Sequence, residues 1–330
     1  MPVAHRLAPG LSLLAGAAAL GGFALGLGQE ARRAERRYPA PGRFLTIRGI
    51  RLHLLEPQAE GEAPPVVLLH GNGAMVEDFA TSGLMELLTA RHRRVVAIDR
   101  PGFGHSTRPR RRAWTPAAQA SLVAEAIHRL GLDRPVVLGH SWGAMVALAL
   151  ALDHPEALRG LVLMGGFHTP TARWEVPAFS GPAVPVLGDV MRYTISPPLG
   201  RLILPGLLRR IFGPMPVPAR FLRGFPLPLV LHPRRLRAAA EETAMMIPAA
   251  AALRRRWGEL RLPVAILAGS EDRIVDPMTH ARALAAALPQ AALRIYPGAG
   301  HMLHHAAPEL VASAIGAVAM AESRTQPVPA

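Results

Sequence analysis

Pro135-Val136-Val137-Leu138-Gly139-His140-Ser141-Trp142-Gly143-Ala144-Met145-Val146-Ala147-Leu148 is the stretch whose reading decides the fold. Residues 135–138 form a short apolar run with β-branched side chains, the pattern of a buried strand. Residues 144–152 form an apolar, alanine-rich run, the pattern of a buried helix. Between them stands Gly-x-Ser-x-Gly. A strand that turns sharply into a helix leaves its corner residue strained and exposed. The residues two before and two after must be small, or they collide across the turn. Gly139 and Gly143 meet that demand. The Ser141 hydroxyl is then expected to point out of the sheet, with the positive end of a helix beneath it.

Similar apolar runs recur on both sides, at 66–69, 94–98, 161–164, 264–267 and 293–296. They suit strands buried on both faces. Helix-like segments separate most of them. The clearest starts at Thr115 as N-cap with Pro116 at the first helical position, and its apolar spacing runs through Leu122, Val123, Ile127 and Leu130. Segments 43–47 and 51–56, joined at Gly49, suggest a hairpin. The fold class is α/β, a mostly parallel sheet with helices on both faces. The alternation stops between Gly166 and Gly258, where prolines crowd an apolar stretch with short helix-like pieces such as 236–246. That stretch reads as a Pro-rich helical lid. The expected organisation is an N-terminal segment (1–37), a first core part (38–166) opening on a Pro/Gly linker, the lid (167–258), a second core part (259–322) and a tail (323–330).

A serine hydroxyl needs a base, and the base needs an orienting acid. With the order Ser…Asp…His, both partners follow late strands. Asp272 stands just after the run 264–267, and Glu271 and Asp276 are its rivals. His301 stands just after the run 293–296, in a loop whose glycines let the ring approach. His304 and His305 read as surface or supporting residues. His70-Gly71-Asn72-Gly73 follows the run 66–69, where a glycine-rich loop can aim backbone N–H groups at a developing negative charge. The candidate donors are the N–H groups of Asn72 and Trp142.

On these motifs the chain resembles the α/β-hydrolase superfamily over roughly residues 43–321. The stretch 99–106 (Asp-Arg-Pro-Gly-Phe-Gly-His-Ser) resembles that family's structural Asp-x-x-Gly-x-Gly-x-Ser turn. Ser141, Asp272 and His301 fall on its nucleophile, acid and base positions. Asn72 and Trp142 also resemble residues that hold a leaving halide in the haloalkane dehalogenase branch. That branch uses an aspartate nucleophile, as epoxide hydrolases do, and the position here is Ser141. The resemblance implies a serine hydrolase of small-molecule esters with apolar groups, needing no metal or organic cofactor. Alternatives sharing the constellation are a C–C bond hydrolase, an iminopeptidase-like peptidase, a thioesterase, a haloperoxidase-type perhydrolase, and a pseudo-enzyme that only binds a ligand.

Composition narrows the partners. The 330 residues contain no cysteine, which excludes disulfides and thiolate chemistry. The formal charge is +14, carried entirely by arginine among the basic residues. The arginines are scattered, aromatics are few and no nucleic-acid motif appears, so nucleic-acid binding is not expected. The run 7–29 is uncharged and long enough to span a bilayer as a helix. Arg32, Arg33, Arg36 and Arg37 follow it, which favours an anchor with a cytoplasmic body. Gly26-Leu27-Gly28 also offers the small residues that a signal peptidase reads, so a secreted or periplasmic body is one alternative and a loosely attached soluble segment is another.

Overall fold

A computed structural model describes residues 8–58 and 61–321, with side chains described from residue 18 onward. Eight strands form one sheet: β1 (Arg43–Ile47), β2 (Ile50–Leu55), β3 (Ala63–Leu69), β4 (Arg93–Ile98), β5 (Val136–His140), β6 (Gly160–Met164), β7 (Val264–Gly269) and β8 (Ala291–Tyr296). Their order is β1-β2-β4-β3-β5-β6-β7-β8. The β1–β2 hairpin turns at Gly49, which takes φ +76°, and β2 runs antiparallel to β4. All other pairings are parallel. β3 starts earlier than its apolar core suggests, at Ala63-Pro64-Pro65. Two prolines lack the N–H for a regular ladder, and the register shifts between Ala63 and Val66.

The strands alternate their side chains between two apolar layers. Val67, Leu69, Val137 and Leu161 face the helices Pro116–Arg129 and Trp142–Asp153. Val66, Leu68, Leu138 and Val162 face the helices Leu84–Ala90 and Pro308–Met320. Each such fully buried side chain is worth about 1.5–3 kcal/mol. Thr115 caps its helix by accepting from the Ala118 N–H at 3.1 Å. β8 departs from the expected fully buried run. It is an edge strand with alternating partial exposure, because only β7 pairs with it.

Between β6 and β7 the chain is helical, as expected for that stretch. Its longest elements are the helices Ser196–Phe212 and Pro233–Arg254. The second is twice the length expected from 236–246. Pro233 occupies its first turn, where no intrahelical N–H is needed, and the His232 ring caps it by accepting from the Arg234 N–H at 3.2 Å. Pro248 interrupts its ladder without ending it, since Ala249, Ala250 and Leu253 are buried against the core beside it.

The N-terminal segment forms the helix Ala8–Arg37. Its last turns pack on the insertion. Leu27 is buried, Glu30 pairs with Arg201, and Glu35 lies 3.2 Å from His232. The expectation of a membrane-spanning helix is not met: among the described residues, no helix is long and apolar enough to cross a membrane. The fully described part, from residue 18, carries Glu30, Arg32, Arg33, Glu35, Arg36 and Arg37 within its length. The start of the uncharged run, up to residue 17, lies outside the described side chains, and the tail 323–330 lies outside the described residues.

Candidate active site

Ser141 sits at the corner between β5 and the helix Trp142–Asp153 with φ +54° and ψ −116°, a conformation that L-residues rarely adopt. Its N–H continues the ladder to the Met164 carbonyl at 2.9 Å. The flanking glycines are sterically required. A Cβ on Gly139 collides with the Gly143 carbonyl, and one on Gly143 collides with the Leu69 and His70 carbonyls.

Asp272 and His301 come from the ends of β7 and β8, two neighbouring strands. The Asp272 Oδ2 accepts from His301 Nδ1 at 2.8 Å. Its Oδ1 accepts from the N–H groups of Ile274 and Val275 at 2.7 and 2.9 Å. Burial alone raises the Asp272 pKa, but the His301 ring and these two N–H groups outweigh it and hold the carboxyl below its usual range. The rivals are placed elsewhere. Asp276 accepts from the Thr279 N–H at 2.7 Å as a local cap, and Glu271 is exposed. A Cβ on Gly165, just past β6, comes within 3.2 Å of the His301 ring, and the His140 ring centroid lies 4.8 Å from it. Ser141 is thus flanked by the residues against which His301 packs.

The loop His70-Gly71-Asn72-Gly73 lies beside the corner, since a Cβ on Gly71 would stand 3.1 Å from the Ser141 Cβ. The backbone N–H groups of Asn72 and Trp142 bond to no other group of the described residues. The Asn72 side chain turns to the insertion, donating to the Ala239 carbonyl and Thr243 Oγ1, both at 3.1 Å. Trp142 Nε1 is buried without a hydrogen-bond partner.

His304 and His305 are not surface residues. Their Nε2 atoms lie 3.0 and 2.8 Å from the two oxygens of buried Asp78. The reason is local: the helix Leu303–Ala306 turns them inward onto the helix Glu77–Ser82. Burial opposes ionisation of Asp78, yet the two imidazoles hold its carboxyl well below the carboxylate range. Among the described residues, these three form the one grouping with ligand atoms close enough for a metal, within 4.8 Å, and they already bond to one another. Sequence reasoning also missed the buried polar residues Arg100, Gln119 and Glu242. The turn 99–106 is clamped as expected of a structural motif. Asp99 accepts from His53 Nδ1 at 2.6 Å and from the N–H groups of Val76 and His105 at 2.9 and 3.0 Å. Gly104, at φ +47°, is there because a Cβ would collide with that carboxylate. A cavity of about 700 Å³ lies apart from the serine corner, between the N-terminal helix and the insertion, and Leu27, Arg33, Leu204 and Leu208 help to line it.

The profile of the alpha/beta hydrolase fold matches residues 64–308. Haloalkane dehalogenase 2 of Mycobacterium tuberculosis is 28% identical over 290 residues, covering 84% of this chain and 94% of that protein. A 2-hydroxymuconate semialdehyde hydrolase of Pseudomonas putida is 36% identical over 132 residues, 40% of this chain and 46% of its own. Among solved structures, a bacterial membrane phospholipase A superposes with TM-score 0.62 at 25% identity, covering 95% of this chain and 97% of its own. An esterase from Exiguobacterium antarcticum superposes with TM-score 0.64 at 20% identity, covering 85% and 100%, and that likeness concerns the fold.

Proposed function

The chain belongs to the α/β-hydrolase fold family, and on that premise we propose that it is a serine hydrolase of carboxylic esters. His301 Nδ1–H donates to ionised Asp272, which leaves Nε2 as the basic nitrogen. Nε2 takes the Ser141 proton as Oγ attacks the acyl carbon. The N–H groups of Asn72 and Trp142 receive the oxyanion of the tetrahedral intermediate. His301 then protonates the departing alcohol, an acyl-enzyme remains, and a water deprotonated by His301 releases the acid. The observation that carries this reading is the strained Ser141 corner together with the Asp272–His301 pair, whose His301 ring packs on His140, the residue before the serine. The apolar insertion, read as a lid, favours esters with apolar groups. Fluorophosphonate labelling tests the reading: wild type should be labelled, and Ser141→Ala should not.

The partial identity to a C–C hydrolase favours a second reading, cleavage of a C–C bond next to a ketone by the same residues. A panel of esters and ketones of graded chain length separates the two. Halide displacement is disfavoured, because Ser141 replaces the aspartate and Asn72 Nδ2 is already held by Ala239 and Thr243.

The membrane is the proposed location, with the N-terminal segment as attachment and the body in the cytoplasm. The uncharged run 7–29, the arginines after it and the exposed Leu20, Phe23 and Leu25 support this. So does the likeness to a membrane phospholipase A over 95% of the chain. Full-length protein should sediment with membranes and need detergent for release. A mature N-terminus at Gln29 in the native host would instead mark the segment as a cleaved signal.

A further inference from the structure

A fully buried ion pair lies beneath the loop His70-Gly71-Asn72-Gly73. Arg100, just after β4, uses all five of its guanidinium N–H groups. Nε donates to the His70 carbonyl at 2.7 Å. Nη2 donates to the Gly71 carbonyl at 2.9 Å and to Glu242 Oε2 at 3.0 Å. Nη1 donates to Gln119 Oε1 at 3.0 Å and to Glu242 Oε1. Gln119 closes the ring, donating from Nε2 to Glu242 Oε1 at 2.9 Å.

The Gly71 carbonyl is held from a second side. The Arg100 N–H donates to His70 Nε2 at 3.0 Å, so the ring proton is on Nδ1. That proton goes to the Gly71 carbonyl at 2.8 Å. Burial first, and the Arg100 charge second, push the His70 pKa down to about 3, so the ring stays neutral and keeps this tautomer. The Gly71 carbonyl and the Asn72 N–H belong to one planar trans peptide and point in opposite directions. Fixing the carbonyl toward Arg100 and His70 therefore fixes the Asn72 N–H away from them. Glu242 lies on the helix Pro233–Arg254 of the insertion, one turn from Ala239 and beside Thr243, which hold the Asn72 side chain.

We propose that Arg100, Gln119 and Glu242 are positioning residues that aim the Asn72 N–H at the oxyanion and place that aim under the control of the insertion. The inference rests on the serine-hydrolase reading. A planar fork is required, because it must reach two carbonyls and a carboxylate at once, and a lysine ammonium cannot. Displacing the helix Pro233–Arg254 withdraws Glu242 and Thr243 together, which removes the carboxylate that orients the Arg100 fork and the hydroxyl that holds the Asn72 side chain.

The test compares Arg100→Lys, Glu242→Gln and Thr243→Val with wild type. The readouts are kcat and KM on an aryl ester, and affinity for two inhibitors of one skeleton. One is a trifluoromethyl ketone, whose adduct on Ser141 places an oxyanion in the hole. The other is the matching alcohol, which forms no adduct. Removing an oxyanion donor outright costs about 10²–10³ in kcat. Arg100→Lys should therefore lower kcat about 100-fold and Glu242→Gln about tenfold. Thr243→Val disturbs no charge and should lower it about threefold. In each, KM should stay within about threefold, ketone affinity should fall in parallel with kcat, and alcohol affinity should hold. Unchanged kcat in the folded variants, or equal loss of ketone and alcohol affinity, overturns the proposal. Should Arg100→Lys and Glu242→Gln not fold, Thr243→Val decides alone by the same ratio. Failure of wild type to form the ketone adduct overturns the serine-hydrolase reading itself.

Discussion

The sheet and the insertion between β6 and β7 use the same apolar residue types to opposite ends. In β3 and β5, Val66, Leu68, Val136 and Leu138 are wholly buried. In the insertion, Val186 and Leu202 are 77% and 78% exposed, and Leu187, Val190, Ile195 and Leu199 are also open. The sheet holds itself together by packing. The insertion is packed only in part, through Phe212, Phe221, Leu229 and Leu253, and is tied down further by Glu242 on Arg100, Thr243 on Asn72, and Glu30 of the N-terminal helix on Arg201. The sheet is the rigid half, with Ser141, Asp272 and His301 at its strand ends, and the insertion is the half that leaves apolar side chains open.

The sharpest division is chemical. Ser141→Ala should lower ester turnover by about 10⁴-fold or more while thermal unfolding stays near wild type, since only Oγ is removed. Near-normal turnover would place the nucleophile elsewhere. Asp272→Asn should cost about 10³- to 10⁴-fold, because the wrong His301 tautomer results. Asp276→Asn, which loses only a local cap, should stay within about threefold. A reversal of the two would move the acid to Asp276.

Packing gives the next test of the contrast. Leu68→Ala empties a fully buried site and should destabilise by about 2–5 kcal/mol in urea unfolding. Val186→Ser in the insertion should change stability by no more than about 0.5 kcal/mol. Its effect should appear instead as weaker turnover of long-chain relative to short-chain esters. Equal stability losses would show that the insertion is packed as a core.

The rigid half was the legible one. Strand runs, the glycine-flanked Ser141 corner and the order of Asp272 and His301 all write themselves into local pattern, because each needs a particular residue type at a particular place. The insertion was less legible. Its crowded prolines left only short helix-like pieces to read, yet Pro197 and Pro233 start helices and Pro205 and Pro248 lie inside them. Tertiary burial, which no local window contains, overrides the propensity. The Arg100–Glu242 pair spans 142 positions and the Asp78–His305 pair 227, so neither has a spacing to read. His304 and His305 follow the loop that carries His301 and read as surface or supporting residues. Only the packing of two short helices brings them to Asp78.

The last predicted effect lies at the seam of the two halves and concerns pH. His168 follows β6 where the chain leaves the sheet, and it is buried with both ring nitrogens unpartnered. Burial pushes its pKa down to about 3, as it does for His70, and puts His140 well below the usual value. In the unfolded chain these rings titrate near 6.5. Between the two values the unfolded state binds more protons, so stability rises with pH and is lost as pH falls below about 6.5. Asp272 and Asp78 have depressed values and act lower, below the ordinary carboxylate range, so they do not account for losses between pH 6.5 and 5. Each buried ring contributes up to about 1.4 kcal/mol per pH unit in that window. His168→Leu should therefore flatten the decline of unfolding free energy between pH 6.5 and 5 by about that slope. It should also raise stability at neutral pH, since no unpartnered nitrogens remain buried. An unaltered slope in His168→Leu would mean that this ring reaches solvent or a partner at the seam, and that the insertion sits more loosely on the sheet there than its ties to Arg100 and Asn72 imply.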